Sequence, residues 1–525
     1  MFRPVLTPLL RPWFAAMVRR RSRWADPSGT ERTQRRVLAD LLRQGGRCTA
    51  GAMHDASGVA DYEHFRAAAP TVLYEYIRPD VMRMVGGERD VLWPGATRNF
   101  AQSSGTSGGK SKYIPVTATA LRTNHYAGAA EAVASYLALN PHSRIFDGRS
   151  MILGGSYANE LPGLPAGTRV GDLSATLIDR VNPAVELVRI PSKRIALMSN
   201  WDEKLPALVE AAASHSSVTN ISGVPSWFLT VLRGVLEHTG ASTIHEVWPG
   251  LEVFFHGGIA FGPYRSQYDA ITDPSRMHYI ENYNASEGFF AVQDTADAAD
   301  GMRLLLDAGV FFEFIPVERY VEPADAADNP VAAGEYALPA WEVEPGRTYA
   351  LVVTSCNGLC RYVIGDTVTV LSVEPLRIAI AGRTNAFINA FGEEVMVWNT
   401  DEALSRACAA TGAEVADYTA APVYTAEGTK GHHQWLIEWR HEPADKQAFA
   451  RILDSELQAV NSDYQAKRSG NIFLAPPEIV DVPAGTFDRW LAATGKLGGQ
   501  RKVPRLANDR HIVDAILKLT LDTHI

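Results

Sequence analysis

Residues 103–112, SSGTSGGKSK, combine hydroxyl side chains, three glycines and two lysines within ten residues. Glycine lets backbone N–H groups turn toward an anion, the hydroxyls donate further hydrogen bonds, and the lysines add positive charge. The segment lies between an apolar run at residues 91–94 and a strand-like run at residues 113–116. We therefore predict a loop between two strands, a hairpin that folds over the phosphates of a nucleotide.

A P-loop is the nearest alternative for this segment, and its pattern G-x-x-x-x-G-K-[ST] does not fit. If Gly109, Lys110 and Ser111 end the pattern, its first glycine must stand at position 104, which is Ser104. A P-loop also leads into a helix, whereas Pro115 follows closely here and proline is excluded from helix interiors. A flexible polar loop without a ligand remains open as the second alternative.

Residues 279–288, YIENYNASEG, form a second segment whose side chains could bind a nucleotide. An apolar strand end leads there into Tyr283, Ser286 and Glu287. An aromatic ring can stack on a purine, a hydroxyl can meet a phosphate, and a glutamate can hold Mg²⁺ through hard oxygen ligands. An ordinary turn at the end of a strand explains the same residues equally well.

Three polar groups further along the chain could complete a nucleotide site. Asp366 is predicted to follow directly after a strand and Gly365, where its carboxylate could accept both ribose hydroxyls. Arg383 could contact ribose or phosphate, with an interdomain hinge just after it. Residues 495–505 are basic and rich in glycine, so Lys496 or Lys502 could swing onto a phosphate. A turn aspartate and a solvated charge run are the alternatives.

The elements that must position these groups follow from hydrophobic periodicity. Residues 31–84 are predicted to be mostly helical, and residues 149–283 to alternate strands and helices. Two buried strands there end at glycine pairs, where α/β folds place ligands. Residues 303–381 are predicted to be rich in strands. From about residue 386 the pattern changes to a helix after residue 399, a strand at residues 433–439 and a helix at residues 443–460. The predicted fold class is α/β, with a large domain at 1–385 and a small α+β domain at 386–525.

Composition excludes several classes of protein. The chain has 525 residues, is 46% hydrophobic and 21% charged, and carries a net charge of −9, which argues against a general nucleic-acid binder. Four cysteines are too few for a disulfide framework, so we predict a reducing, cytoplasmic setting. No apolar run reaches 18 residues, so we predict no integral membrane association.

Residues 1–24 mix large apolar side chains with six arginines. A signal peptide places its basic residues before the apolar ones, whereas here the arginine cluster follows them. Two interpretations stay open: an amphipathic helix that packs on the protein body, and a helix that contacts a membrane surface.

The order of the motifs is more specific than any single one, and it is the layout of adenylate-forming enzymes. Within that superfamily the chain resembles the bacterial branch of the Gretchen Hagen family of acyl acid–amido synthetases, over nearly the whole chain from about residue 30. The matching strings are SSGTSGGKSKYIPVT at 103–117, FFHGG at 254–258, ENYNASEGFF at 281–290, CRYVIGDTV at 360–368 and GKLGGQRKVPRL at 495–506. Acyl-CoA synthetases usually have a longer loop and a glycine-threonine-glutamate turn, which residues 284–287 do not match.

The resemblance implies a role for each matching residue. The large domain would be an adenylate-forming domain with α/β layers and a β-barrel-like part, and the small one a mobile lid. The implied ATP-binding residues are Ser103, Ser104, Gly105, Thr106, Ser107, Gly258, Tyr283, Ala285, Ser286, Asp366 and Arg383. Glu287 would ligate Mg²⁺ and take part in catalysis, and Lys502, or alternatively Lys496, would be the mobile catalytic lysine.

The implied function is an ATP-dependent ligase of the acyl acid–amido synthetase type. It would adenylate a small carboxylic acid and transfer the acyl group to an amino acid amine, releasing pyrophosphate and AMP. The cofactors would be ATP and Mg²⁺, and the protein would be a monomer or weak homodimer. Two alternatives stay open: an acyl-CoA ligase or carrier-protein-loading enzyme, and a nucleotide-binding relative without turnover.

Overall fold

In the computed structural model the chain forms two compact units. Unit 1 comprises residues 1–259, 267–364 and 368–379, and unit 2 comprises residues 260–266, 365–367 and 380–525. The predicted domain boundary, between residues 385 and 386, lies outside the described residues. The structure describes residues 6–56, 58–59, 61–103, 112–157, 161, 163–258, 261–321, 323, 327, 329–384, 387–388, 390, 393, 395–424, 431–461, 464–465, 468, 474–494, 503–507 and 509–521.

The α-helices of the described residues are α1 (Leu6–Arg20), α2 (Pro27–Gly45), α3 (Ala52–Asp55), α4 (Tyr62–Ala68), α5 (Tyr74–Val85), α6 (Ala118–Ala120), α7 (Tyr126–Leu139), α8 (Leu173–Asp179), α9 (Pro183–Glu186), α10 (Lys193–Ala196), α11 (Trp201–Ala213), α12 (Pro225–Thr239), α13 (Ile244–Val247), α14 (Arg265–Ile271), α15 (Val397–Thr411), α16 (Lys446–Val460), α17 (Thr486–Ala493) and α18 (His511–Leu521). Among these helices, none is long and apolar enough to cross a lipid bilayer.

The strands of the same residues are β1 (Asn99–Ser103), β2 (Lys112–Pro115), β3 (Arg149–Ile152), β4 (Arg169–Gly171), β5 (Arg189–Ile190), β6 (Val218–Gly223), β7 (Val253–Gly257), β8 (His278–Ala285), β9 (Gly288–Val292), β10 (Met302–Leu304), β11 (Val310–Pro316), β12 (Leu338–Pro339), β13 (Thr348–Ser355), β14 (Tyr362–Val373), β15 (Leu376–Arg383), β16 (Phe387–Ile388), β17 (Val395–Met396), β18 (Glu414–Tyr424), β19 (Gly431–His441) and β20 (Glu478–Val482).

Twelve of these strands form one mixed sheet in the order β12-β11-β13-β14-β15-β10-β9-β8-β7-β6-β3-β5. Strands β5, β3, β6, β7 and β8 run parallel, as expected for the α/β segment, so their carboxyl ends meet at one edge. Strand β9 and the residues predicted to be β-rich supply the other half of the sheet, where β8–β9, β9–β10 and β11–β13 are antiparallel pairs. Helix α7 packs against β8 and β9 through a shared apolar cluster.

The glycine-rich segment lies between two antiparallel strands, as predicted, but the first strand differs from the expected one. Strands β1 and β2 pair with Ser103 opposite Lys112, and β4 extends β1 on its other side. Val91, Leu92 and Trp93 are buried, but residues 91–94 do not form a strand. The reason is local: Pro94 has no N–H to donate, and Gly95 follows with φ of +91° in a turn closed on Asp90.

Unit 2 contains the predicted small α+β fold. Strands β18, β19 and β20 form its sheet, with β19 in the centre. Helices α15 and α16 pack on this sheet through one apolar cluster, in which the rings of Tyr418 and Trp435 stack at 5.4 Å. The predicted strand at residues 433–439 is confirmed within β19. The helix predicted to begin at Pro443 begins at Lys446, because Asp445 caps it by accepting from the backbone N–H of Ala448.

Candidate functional site

The carboxyl end of β8 and the hairpin that follows it form the centre of the candidate site. Strand β8 runs parallel to β7, turns at Ser286 and Glu287, and returns as β9. A Cβ atom on Gly257 would lie 2.2 Å from the backbone oxygen of Asn282, so only glycine permits this spacing between the two strands. The second glycine, Gly258, has φ of +81° and turns the chain away from β7.

Two buried asparagines from distant parts of unit 1 hold the hairpin in place. Asn124 accepts from the N–H of Phe289 at 2.6 Å and donates to the backbone oxygens of Phe289 and Ala308 at 3.0 and 2.9 Å. Asn357 donates to the backbone oxygen of Glu287 at 2.9 Å. These bonds cross-link the turn to two other segments, so the Glu287 carboxylate is carried on a rigid support. Neither asparagine was predicted from the sequence to support this turn.

The predicted residues of the ENYNASEG segment lie together around this turn. Tyr283 is buried, and its ring meets that of Phe290 edge to face at 5.0 Å between centroids. Glu287 is also buried, which is unusual for a carboxylate at a hairpin turn. Gly258, Tyr283 and Ala285 thus lie at the ends of two adjacent parallel strands, with Ser286 and Glu287 in the turn beyond them.

A second carboxylate, Glu281, lies on β8 and was not assigned a role from the sequence. The strand register pairs it with His256 on β7, and paired residues of parallel strands carry their side chains on the same face. Burial raises the pKa of the Glu281 carboxyl to about 7 from its ordinary value of 4.5. A glutamate within the strand that leads to the turn was the available signal, but the extent of its burial depends on the neighbouring strands.

The raised pKa of Glu281 predicts a pH-dependent effect of Glu281→Gln on stability. Between pH 4.5 and 7 the unfolded chain releases this proton while the folded chain keeps it, so wild-type stability falls as pH rises through that window. Glutamine cannot ionise and avoids this loss. We expect the variant to match wild type near pH 4 and to exceed it by about 2 kcal/mol above pH 7, measured by urea unfolding. A pH-independent difference would contradict the assignment.

The structure corrects the predicted position of Asp366. It does not follow a strand but lies inside β14, because the strand continues through Gly365 to Val373. Within unit 2 its carboxylate Oδ1 lies 3.1 Å from Nε of Arg383, the last residue of β15. The backbone N–H of Thr384 donates to the Gly365 oxygen at 2.8 Å and holds the two strands together at this point. The structure therefore pairs the two residues predicted to meet a ribose.

Lys112 also differs from its predicted setting in the phosphate loop. It is the first residue of β2 and is buried, with its ammonium 6.0 and 5.9 Å from the ring centroids of Tyr74 and Tyr362. Its charge thus lies at the base of the loop and not at its tip. Ser103 ends β1. Four other predicted loop residues, Ser104, Gly105, Thr106 and Ser107, and both candidate lysines, Lys496 and Lys502, lie outside the described residues.

Arg361, in the CRYVIGD segment, has a structural role that the sequence did not indicate. Its guanidinium bonds both carboxylate oxygens of Glu313 at 3.0 to 3.1 Å, and it donates to the backbone oxygens of Arg66, Ala69 and Gly334. Both members of the ion pair are buried. This network joins the helical start of unit 1 to its sheet, and it stabilises the beginning of β14.

A separate cavity of about 490 Å³ lies at the opposite ends of the parallel strands. Its polar groups largely satisfy one another: Glu252 accepts from the Ser143 hydroxyl at 2.5 Å and from the Arg144 backbone N–H at 3.1 Å. It includes the first residue of β8, His278, and therefore lies away from the Glu287 turn. We therefore do not assign this cavity to the candidate site at the Glu287 turn.

The fold is that of the adenylate-forming enzymes. A 2-hydroxyisobutyryl-CoA ligase solved with 2-HIB-AMP in the postadenylation state superposes with a TM-score of 0.59 at 13% identity, covering 93% of this chain and 91% of that chain. A GH3.15 acyl acid amido synthetase superposes with a TM-score of 0.73 at 16% identity, covering 93% of both chains. The predicted α/β fold class, with a large and a small domain, is confirmed.

This chain belongs to the GH3 family. The GH3 N-terminal, central and C-terminal domain models match residues 27–182, 303–383 and 399–511, well over half of the sequence. The indole-3-acetic acid-amido synthetase GH3.5 of Arabidopsis thaliana is 22% identical over 95% of this chain and 92% of that protein. A probable indole-3-acetic acid-amido synthetase GH3.4 of Oryza sativa subsp. japonica is 25% identical over 92% and 87%. The predicted family is confirmed.

Proposed function

We propose that this protein is an ATP-dependent acyl acid–amido synthetase that joins a small carboxylic acid to an amino acid. The observation that carries the proposal is family membership along nearly the whole chain, since the relatives named above are amido synthetases. The enzyme class, an acid–amino acid ligase that works through an acyl adenylate, follows from that membership.

The nucleotide would lie at the carboxyl edge of the parallel strands. We assign the phosphates to the hydroxyls and N–H groups of residues 103–107, and the adenine and α-phosphate to Gly258, Tyr283, Ala285 and Ser286. The ribose would bind Asp366, whose carboxylate is oriented by the Arg383 guanidinium at 3.1 Å. A carboxylate fits this role because it can accept from two hydroxyls at once.

Glu287 fits the requirements of a magnesium ligand. Its buried carboxylate stands on a turn held by Asn124 and Asn357, which gives the fixed geometry that Mg²⁺ demands. Within the described part of the chain, no three acidic, histidine or cysteine side chains cluster as a complete metal cage. This agrees with Mg²⁺ binding through one or two carboxylates together with substrate phosphates. When bound, the ion would neutralise charge on the phosphates.

The first half-reaction would form an acyl adenylate. A carboxylate oxygen of the acid attacks the α-phosphorus of ATP, the bond from that phosphorus to the β-phosphate oxygen breaks, and pyrophosphate leaves. Such a displacement needs aligned atoms and neutralised charge more than covalent help from the protein. The hydroxyls of the loop hairpin and a lysine from residues 495–505 would meet that need. We favour Lys502 for this lysine, with Lys496 as the alternative.

The second half-reaction would form the amide. The amine nitrogen attacks the acyl carbon, the bond to the AMP oxygen breaks, and the attacking nitrogen loses a proton. We assign that proton to Glu281, which the strand register pairs with His256 on β7 and whose carboxyl pKa burial raises to about 7. Movement of the small domain between the half-reactions, about a hinge after Arg383, would admit the amine. The four unbridged cysteines support a reducing, cytoplasmic setting.

Pyrophosphate release by the purified full chain tests the proposal. The protein is given ATP, Mg²⁺ and a panel of aryl, indolyl and short-chain acids, each alone, with pooled amino acids, and with coenzyme A. We expect release that requires one acid and accelerates with an amino acid, with the amide mass detected by mass spectrometry. The Lys502→Gln and Lys496→Gln variants, run beside wild type, identify the lysine by the larger loss of acid-dependent release.

Two outcomes would contradict the proposal. Acceleration by coenzyme A alone, with a thioester mass, would make the protein an acyl-CoA ligase. Binding of ATP without release of pyrophosphate with any acid of the panel would favour a nucleotide-binding relative without turnover.

A further inference from the structure

Helix α1 is fixed to unit 1 through one face. The Thr7 hydroxyl donates to Asp147 at 3.0 Å, and the ring of Phe14 stacks on Phe146 at 5.4 Å between centroids. The Arg11 guanidinium donates to the backbone oxygen of Leu137 at 2.8 Å. The first interpretation from the sequence, a helix that packs on the body, is therefore correct for this face.

A second face of α1 exposes large apolar side chains. Leu6, Leu9, Leu10 and Trp13 are 36%, 75%, 40% and 56% exposed. Their spacing of three and four residues places them in one stripe along the helix. Single exposed leucines are ordinary on protein surfaces, whereas four large apolar side chains on one stripe mark an interaction surface.

The charged side chains of this N-terminal segment are all positive. Residues 1–25 contain six arginines and no acidic residue. Arg20 and Arg21 are held by Glu131, and Arg20 also by Asp307. Arg19 and Arg23, just after the stripe, are exposed, and among the described residues no carboxylate pairs with them. The surface thus offers apolar side chains next to free guanidinium groups, on a chain whose net charge is −9.

We propose that this face of α1 docks the protein onto an anionic lipid surface. Leucine and tryptophan side chains enter the boundary between headgroups and acyl chains, while arginines contact lipid phosphates. The apolar and the electrostatic contributions to the free energy of binding add. The helix need not leave the protein body, because the side chains that bind the body and those that would meet the membrane lie on different faces. This inference is independent of the proposed function, since α1 precedes the residues that the family models match.

A second copy of the chain is a poorer occupant of this surface. A helix of 15 residues presents a strip about 22 Å long and about 10 Å wide. That is far less than the roughly 800 Å² per partner that stable interfaces bury. Pairing two such strips would also bring the unpaired arginines of both copies near one another.

Co-sedimentation of the full chain with lipid vesicles tests the proposal. We expect binding to vesicles of phosphatidylcholine with phosphatidylglycerol, and little binding to phosphatidylcholine alone. Arg19→Gln with Arg23→Gln should weaken binding about fivefold for each arginine. Leu9→Ser with Trp13→Ser should weaken it by more than about tenfold. The matched control is Leu187→Ser, which removes a leucine that is 77% exposed elsewhere and should not change binding.

Three results would overturn the inference. They are absence of wild-type binding to anionic vesicles, equal binding by the Leu9/Trp13 variant, and an α1-dependent dimer in sedimentation velocity, which would assign the surface to a second copy. Acid-dependent pyrophosphate release should be unchanged in all these variants, so a failure of the lipid proposal is distinguishable from a failure of the proposed function.

Discussion

Glu287→Gln is expected to reduce acid-dependent pyrophosphate release by about 100-fold or more, while the protein remains folded. The substitution keeps the size of the side chain but removes the negative charge at the β8–β9 turn, and loss of a single electrostatic group in an active site costs about 10² to 10³ in rate. The Mg²⁺ concentration that gives half-maximal rate should rise as well. Initial rates at saturating acid and ATP, with thermal melting to confirm folding, measure the effect.

The control for this variant is Glu374→Gln, which changes an exposed glutamate in the turn between β14 and β15 of the same sheet. It should keep the wild-type rate and the wild-type dependence on Mg²⁺. If Glu287→Gln retains its rate within about threefold, Glu287 is not the magnesium ligand. If the substitution unfolds the protein, Glu287 has a structural role and another residue must be the magnesium ligand.

Arg361→Met is expected to lower the free energy of unfolding by about 3 to 5 kcal/mol. The variant leaves the Glu313 carboxylate buried without its guanidinium partner, and it also removes the donors to three backbone oxygens. A buried charge that loses its partner keeps the full desolvation cost, which is why the effect is large. Chemical denaturation with urea measures it.

Two comparisons test the cause of that loss. The double variant Arg361→Met with Glu313→Leu should recover much of the lost stability, because neither charge is then buried. Arg347→Met, which breaks exposed ion pairs with Glu318 and Glu344, should have little effect. If the double variant is no more stable than the single one, lost packing and not the unpaired carboxylate accounts for the change.

Much of the fold could be predicted because it depends on local patterns. The hairpin around the glycine-rich loop, the turn at Ser286 and Glu287, and the helix and strands of the small domain are each coded within ten to fifteen residues by apolar periodicity and turn residues. The residue at which an element begins was predicted less accurately than the type of element. The strand expected at residues 91–94 lies at Asn99–Ser103, since Pro94 and Gly95 interrupt it.

For the candidate site, which residues lie together was easier to predict than the setting of each one. Tyr283, Ala285, Ser286 and Glu287 were found from one string, because they are adjacent in sequence as well as in space. Asp366 was expected after a strand and lies inside one, since the pairing of β14 extends beyond Gly365. Glu281, Asn124 and Asn357 were missed, because their partners are distant along the chain.

The sequence by itself determined the class of this protein: the order of its motifs identified the family, and apolar periodicity indicated an α/β fold with a small α+β domain. The tertiary structure decided which polar residues are chemically distinctive. Burial by neighbouring strands raises the pKa of Glu281. Folding also pairs Arg361 with Glu313 and places the Lys112 ammonium near the rings of Tyr74 and Tyr362. It also left one face of α1 uncovered. Motifs are local in sequence, whereas solvation and charge pairing depend on residues that only folding brings together.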